Sequence, residues 1–384
     1  MVTRDEVARA ARTSSAVVSY VMNNGPRSVA EPTRKRVLAA VEELGYRPNA
    51  VARALRSATS RVLGLVVPDI TNPFFAEFAL AIEKCASERG YSLFLGNAMH
   101  DDAQQAGYLT AFSDHQVRGV LLIGAAGGPQ GAFPPLTKAT LASQRMALVF
   151  LDRVPKDARG VSLRVDNVRG AYEATRHLIE HGHTSIGRIS GPPSLSSAQE
   201  RDRGWAKALT EAGIDPNTQL QEQAEFDRYD AYELAHQMFA SRRHPRALFV
   251  HSDEQAIGVL LAAANQKVRI PQDVAVVSFD GIRESALTHP PLTTVQQPLE
   301  LAARRAVDLL IEGIDHGERL VKAETLPVQL VIRSSCGCGE HVSVPSNKSL
   351  RTAAQNIEIP ATVPRNQLRT HARFDPGASC ARDS

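Results

Sequence analysis

Apolar residues fall into three textures along the chain. Between residues 4 and 44 they recur three and four apart: Val7, Ala8 and Ala11, then Val17, Val18, Val21 and Met22, then Val37, Leu38, Val41 and Leu44. That spacing gives one inward face per segment and predicts three short helices. The first runs from Asp5 to Ala11, the second is capped by Ser14 or Ser15, and the third starts at Thr33 and ends at Gly45. Asn23-Asn24-Gly25-Pro26 separates the last two, because Gly and Pro both break helices.

From Val62 onward short apolar runs alternate with helical stretches. The runs are Val62–Val67, Leu93–Gly96, Val120–Ile123, Ala147–Leu151, Ile186–Ser190, Ala247–Val250 and Val274–Phe279, with a last strand at Leu326–Arg333. Phe75–Glu88, Ala171–Glu180 and Gln255–Asn265 are among the helices between them. Continuous apolar strands joined by helices predict parallel sheets covered on both faces, and this length of chain predicts two lobes. Ligands of such sheets bind beyond the carboxyl ends of the strands. Asp69, Asn72, Asp152, Arg153, Ser252, Asp253 and Asp280 stand at those ends. Beyond residue 335 the chain is rich in Ser, Pro, Asn, Thr and Arg without periodicity, and a disordered tail is expected.

The fold expected is an all-α head followed by a two-lobed α/β core. Its parts are a head at 1–47, a linker at 48–61, a core at 62–335 and a tail at 336–384. Within the core, one lobe is expected at about 62–160 and 293–320 and the other at about 161–290 and 322–335.

Composition narrows the class. At 384 residues with 43% hydrophobic and 22% charged positions, the chain matches folded globular proteins, which excludes long disorder or a collagen-like repeat. No apolar run approaches a membrane span, and the charged start Met1–Glu6 lacks a secretory signal, so a cytoplasmic protein is expected. Four cysteines do not make a disulfide framework. Residues 1–61 carry 11 Lys/Arg against 5 acids, or +6, while the rest carries 33 against 36, or −3. A basic head on a slightly acidic body points to a polyanion at one end. Two short helices joined by a tight turn at the start of that head read as a helix-turn-helix.

Other signals carry little chemistry. Gly124–Gly131 follows a strand but lacks the spacing of a phosphate loop and reads as a connecting loop. Cys336, Cys338 and His341 offer three ligands where structural zinc takes four, and His177, His181 and His183 read as structural, so no metal is expected. Neither G-x-S-x-G nor H-E-x-x-H occurs; no enzyme and no cofactor are expected.

The string TRDEVARAARTSSAVVSYVMN (3–23) resembles the helix-turn-helix of the LacI/GalR family of bacterial transcription regulators. The likeness continues through TRKRVLAAVEELGYRPN (33–49), AVARALR (50–56) and VLGLVVPDITNPFF (62–75). It extends through RVDN around Asp166, HLIEHGHTSIGRISGP (177–192), DVAVVSFDG (273–281), PPLTTVQQP (290–298) and LPVQLVIRSS (326–335). The resemblance implies a periplasmic-binding-protein-like core and a homodimer on a palindromic duplex operator. Ser15, Ala16 and Tyr20 would meet base edges, while Arg53 and Arg56 contact phosphate and Leu55 wedges into the minor groove. The family's turn has Gly where this chain has Arg12, so Arg12 is expected in a conformation that Gly adopts more easily and could itself reach phosphate. The implied effector is a small molecule, a sugar before a nucleobase, held between the lobes by Asp69, Phe74, Phe75, Asp152, Arg201, Asp253 and Asp280. Trp205 is expected to pack. The alternative is a carbohydrate- or solute-binding protein whose head does not read DNA.

Overall fold

The computed structural model describes residues 2–23, 28–46, 61–123, 146–151, 160–316 and 322–338. The expectations for residues 124–131, Asp152, the linker residues Arg53, Leu55 and Arg56, and the tail beyond 338 lie outside these.

The head holds α1 (Arg4–Ala10), α2 (Ser15–Asn23) and α3 (Glu31–Leu44). Thr3 caps α1: its hydroxyl accepts from the Glu6 amide at 3.3 Å, and the Glu6 carboxylate accepts from the Thr3 amide at 2.7 Å. Ser14 caps α2 by accepting from the Val17 amide at 3.3 Å. The third helix starts two residues before Thr33, with Pro32 in its first turn. Val7, Ala8, Ala11, Val18, Val21, Val37 and Ala40 form one small core. Leu38 stays outside it, 45% exposed.

Two six-stranded sheets make the core. The first contains β1 (Val62–Val67), β2 (Ser92–Asn97), β3 (Gly119–Ile123), β4 (Ala147–Leu151), β5 (Val161–Val165) and β11 (Lys322–Leu326), in the order β11-β5-β4-β3-β1-β2, all parallel. The helices α4 (Pro73–Glu88), α5 (Asp102–Asp114) and α10 (Leu299–His316) belong to this lobe. Ile82, Val307 and Leu310 cover one sheet face with Leu63, Leu65 and Leu121; Phe112 packs on the other with Val66, Val120 and Phe150.

The second sheet contains β6 (Ile186–Ser190), β7 (Gln221–Gln223), β8 (Ala247–Val250), β9 (Ala275–Asp280), β10 (Thr293–Gln296) and β12 (Gln329–Val331), in the order β12-β10-β9-β8-β6-β7. Its pairs are parallel except β10 with β12. The helices α6 (Asn167–Glu180) and α7 (Ser196–Glu211) pack together, as do α8 (Arg228–Ala240) and α9 (Asp253–Asn265). A Cβ on Gly204 of α7 would lie 2.3 Å from the Val168 carbonyl oxygen, so only glycine permits this approach of α6 and α7.

The lobe boundaries differ from those expected. Strand β5 (161–165) belongs to the first sheet, and β10 (293–296) to the second. The single last strand expected at Leu326–Arg333 is two strands, β11 in the first sheet and β12 in the second. The chain thus crosses between lobes three times: after β5, after β10, and between β11 and β12. Ser162 and Arg164 break the apolar run of β5, and β10 and β11 are short and mostly polar, which hid them from hydrophobic patterning. Residues 336–338, expected in the tail, continue the second lobe: Cys336 is buried in its core.

Candidate functional site

The head places its candidate residues on one short unit. Because Ser14 supplies the α2 cap, Ser15 and Ala16 are the first helical residues; Ala16 is exposed, and Ser15 and Tyr20 are half-buried. No acid occupies the first turn of α2, whose unpaired amides favour a phosphate. Arg12 is exposed in the turn with φ 52°, the left-handed conformation expected of a residue standing where the family has Gly. The Arg36 side chain donates to the Ala11 carbonyl at 3.4 Å and ties α3 to the start of that turn.

The core holds a cavity of about 710 Å³ lined by residues of both lobes, at the carboxyl ends of the strands. Asp69, Phe74, Phe75, Arg201 and Asp280 all line it. The Asn72 side chain caps α4 by accepting from the Phe74 amide at 3.0 Å, and so fixes where the aromatic run begins. Phe74 and Phe75 meet edge to face at 5.3 Å, and Phe75 also packs into the core of the first lobe.

The opposite wall is polar and held rigidly. Arg201 is 5% exposed. Its Nε donates to the Asn167 side-chain oxygen at 3.0 Å, one terminal nitrogen donates to the His251 carbonyl, and the other donates to Asp280 at 3.2 Å. The guanidinium lies 3.8 Å from the Phe279 ring centroid and 5.8 Å from that of Phe226. The Asp280 carboxylate also accepts from the Gln297 side-chain Nε2 at 2.8 Å. Two contacts between the lobes close the front: the Asn72 side chain donates to the Phe226 carbonyl at 3.4 Å, and the Arg283 amide donates to Glu77 at 3.0 Å. Burial pushes the Glu77 carboxyl above its usual range, more than the Arg283 contacts lower it.

Asp253 is a correction: it does not line the cavity. It is fully buried at the start of α9, where its carboxylate accepts from the Gly281 and Ile282 amides at 2.8 and 2.9 Å, from Thr294 at 2.7 Å, and from the Ser278 hydroxyl. Burial nevertheless pushes its pKa up to about 6. It is a structural carboxylate that fastens the loop after β9, leaving Asp280 to present itself to the cavity. Trp205 packs as expected, 2% exposed, with its indole donating to the Ile186 carbonyl at 3.3 Å.

Sequence reasoning missed Phe226, Gln297 and Asn167. Phe226 is seated because Gly191 has no side chain; a Cβ there would lie 2.2 Å from the ring. Gln297 stood inside the quoted segment PPLTTVQQP, directly after β10, and the strand-end rule that selected Asp280 would have selected it had β10 been recognised.

Residues 3–49 match the family described as bacterial regulatory proteins, lacI family, and residues 175–336 match a periplasmic binding protein-like domain. The chain is 34% identical over 335 residues to the HTH-type transcriptional repressor PurR of Photobacterium profundum, covering 87% of this chain and 98% of that protein. It is similar in structure to the Lac repressor dimer bound to operator and the anti-inducer ONPF, with a TM-score of 0.77 and 26% identity over 87% of this chain and 99% of that one. It is also similar to the transcriptional regulator CelR in complex with cellobiose, with a TM-score of 0.64 and 28% identity over 87% and 100% of the two chains. The chain belongs to the LacI family: it is a DNA-binding transcriptional regulator of the repressor type, built as a helix-turn-helix head on a two-lobed core, and not an enzyme. Among the described residues no helix is long and apolar enough to cross a membrane.

Proposed function

We propose that this protein is a homodimeric repressor that reads a palindromic operator and is controlled by a sugar bound between its lobes. The inter-lobe cavity carries the reading. At about 710 Å³ it lies within the ~300–1,000 Å³ of small-molecule sites, and it sets a fixed polar wall against aromatic rings. Arg201, Asp280 and Gln297 supply donors and acceptors to ring hydroxyls, with Ser194 and Ser197 near them, while Phe74 and Phe226 offer faces to the apolar side of a pyranose. Three of the five Arg201 N–H donors are used by the protein, which fixes the guanidinium plane and leaves two for the ligand. The cellobiose bound by the related CelR supports a sugar over a flat heterocycle.

In the head, Ser15, Ala16 and Tyr20 take base edges in the major groove and Arg12 takes phosphate. Arg53, Leu55 and Arg56 lie outside the described residues, and their hinge roles rest on the family resemblance. Leu55 is the minor-groove wedge and the two arginines its phosphate clamps. Closure of the lobes on an effector changes operator affinity by ~1–3 kcal/mol, the usual range of such coupling.

Calorimetric titration of the full-length protein with a panel of mono- and disaccharides, nucleobases and nucleosides tests the effector. One sugar should bind at one site per chain and shift the operator affinity, with both effects lost in Arg201→Lys. Binding by nucleobases alone would overturn the sugar reading and leave the site assignment standing.

A further inference from the structure

Outside the cavity, one cluster of metal-ligating side chains stands out among the described residues. His177 lies in the last turn of α6 and His181 caps that helix, so their i, i+4 spacing puts both rings on one face, with centroids 4.4 Å apart. Cys338, at the end of the described second lobe, brings its sulfur to 3.0 Å from His181 Nε2 and 3.6 Å from His177 Nε2. These three atoms come from segments separated by 157 residues or more and lie within 4.8 Å of one another. We propose that His177, His181 and Cys338 form a divalent-metal site, zinc by its chemistry, that clips the chain after β12 to the C-terminal end of α6.

Four features support the assignment. Zinc bonds of about 2.3 Å to sulfur and 2.0–2.1 Å to nitrogen, at the tetrahedral angle, set S and N roughly 3.5 Å apart, which the His177 distance meets and the His181 distance approaches. The His181 Nδ1–H donates to the His177 carbonyl at 2.8 Å, so the Nε2 lone pair faces the sulfur. A ring held through its second nitrogen in this way is the usual arrangement around a bound metal. One thiol proton satisfies only one of two imidazole nitrogens; a cation satisfies both and the sulfur together. The exposed carbonyls at a helix C-terminus also favour positive charge.

Metal binding replaces the Cys338 thiol proton, which leaves to solvent as the Zn–S bond forms. Cys336 is not a ligand: it is buried, and its sulfur accepts from the Thr293 hydroxyl at 3.1 Å. Water on the exposed His181 side would complete the tetrahedron. The neighbouring Ser335 is already bonded to the Thr293 amide and the Val276 carbonyl, so the clip would lock an edge of the second sheet and not create one.

The test uses untagged full-length protein stripped with a chelator and titrated with Zn²⁺ against a chromophoric chelator, with Co²⁺ as a spectroscopic probe. One metal per chain is expected, with a thiolate-to-cobalt charge-transfer band and a zinc-dependent rise in Tm. Cys338→Ser and His181→Ala should each weaken zinc binding by about 100-fold or more and abolish the Tm rise. Cys85→Ala, in the core of the other lobe, should leave binding unchanged. His181 is exposed, so its variant reports on the site even if Cys338→Ser misfolds. Zinc binding no tighter than millimolar, or equal affinity in wild type and His181→Ala, would overturn the proposal and leave a thiol–imidazole hydrogen bond.

Discussion

Arg12 shows how a single position carries both strain and contact. A non-glycine residue in the left-handed region costs ~1–2 kcal/mol, and this one is retained at the turn of the DNA-reading unit. Arg12→Gly relieves that strain but gives the unfolded chain more freedom, so chemical denaturation should show a change within about 1 kcal/mol. If Arg12 meets phosphate, the salt dependence of operator binding should fall by about 0.9 in slope. An unchanged slope would remove Arg12 from the interface. His251 sets a second residue-scale expectation. It is fully buried beside Arg201, and burial first, then Arg201 and Arg188, holds its pKa well below the usual imidazole value. A depressed folded pKa means the contribution to stability is whole above the unfolded pKa of about 6.5 and is lost below it, at ~1.4 kcal/mol per pH unit. Asp253, raised to about 6, has the opposite slope, full below the carboxylate's ordinary value and lost as the pH rises through about 6. Both proteins share that group, so comparing His251→Gln with wild type isolates the histidine. The stability gap between them should narrow as the pH falls from 7 to 5; parallel profiles would contradict the assignment.

At the scale of elements, the α6–α7 pair joins the cavity to the second lobe's core. Asn167 opens α6 and Arg201 lies on α7, and their 3.0 Å hydrogen bond depends on how closely the helices approach at Gly204. Gly204→Ala should therefore destabilise the protein by ~1–3 kcal/mol and weaken effector binding as well, measured by denaturation and calorimetry on the same variant. Loss of stability with unchanged affinity would show that the pair does not position Arg201. The helices and the strongly apolar strands were legible because their periodicity reports burial directly. Strands β5, β10 and β11 were not, because short strands with polar positions resemble loops, and misplacing β5 and β10 shifted the lobe boundaries. The same gap concealed Gln297. Asp253 and Asp280 look alike as strand-end carboxylates; they part company only in three dimensions, where four donors enclose the first and Arg201 and Gln297 orient the second. Phe226 was beyond reach of the sequence because its place depends on the bare backbone of Gly191, 35 residues away.

At the scale of the molecule, three chain crossings join the lobes, and Asn72–Phe226 and Glu77–Arg283 span them at the front. Such a construction couples ligand occupancy to lobe closure with little covalent constraint on its direction. In the function proposed above, the head reads a two-fold operator through α2 and the Leu55 wedge. Binding-site selection from a random duplex library, at near-physiological salt because phosphate contacts alone hold any DNA when salt is low, tests it most directly. A palindrome with a flexible pyrimidine–purine step at its centre is predicted, with Leu55→Ala losing far more affinity for that sequence than for random DNA. An asymmetric motif, or equal losses on both DNAs, would contradict the account.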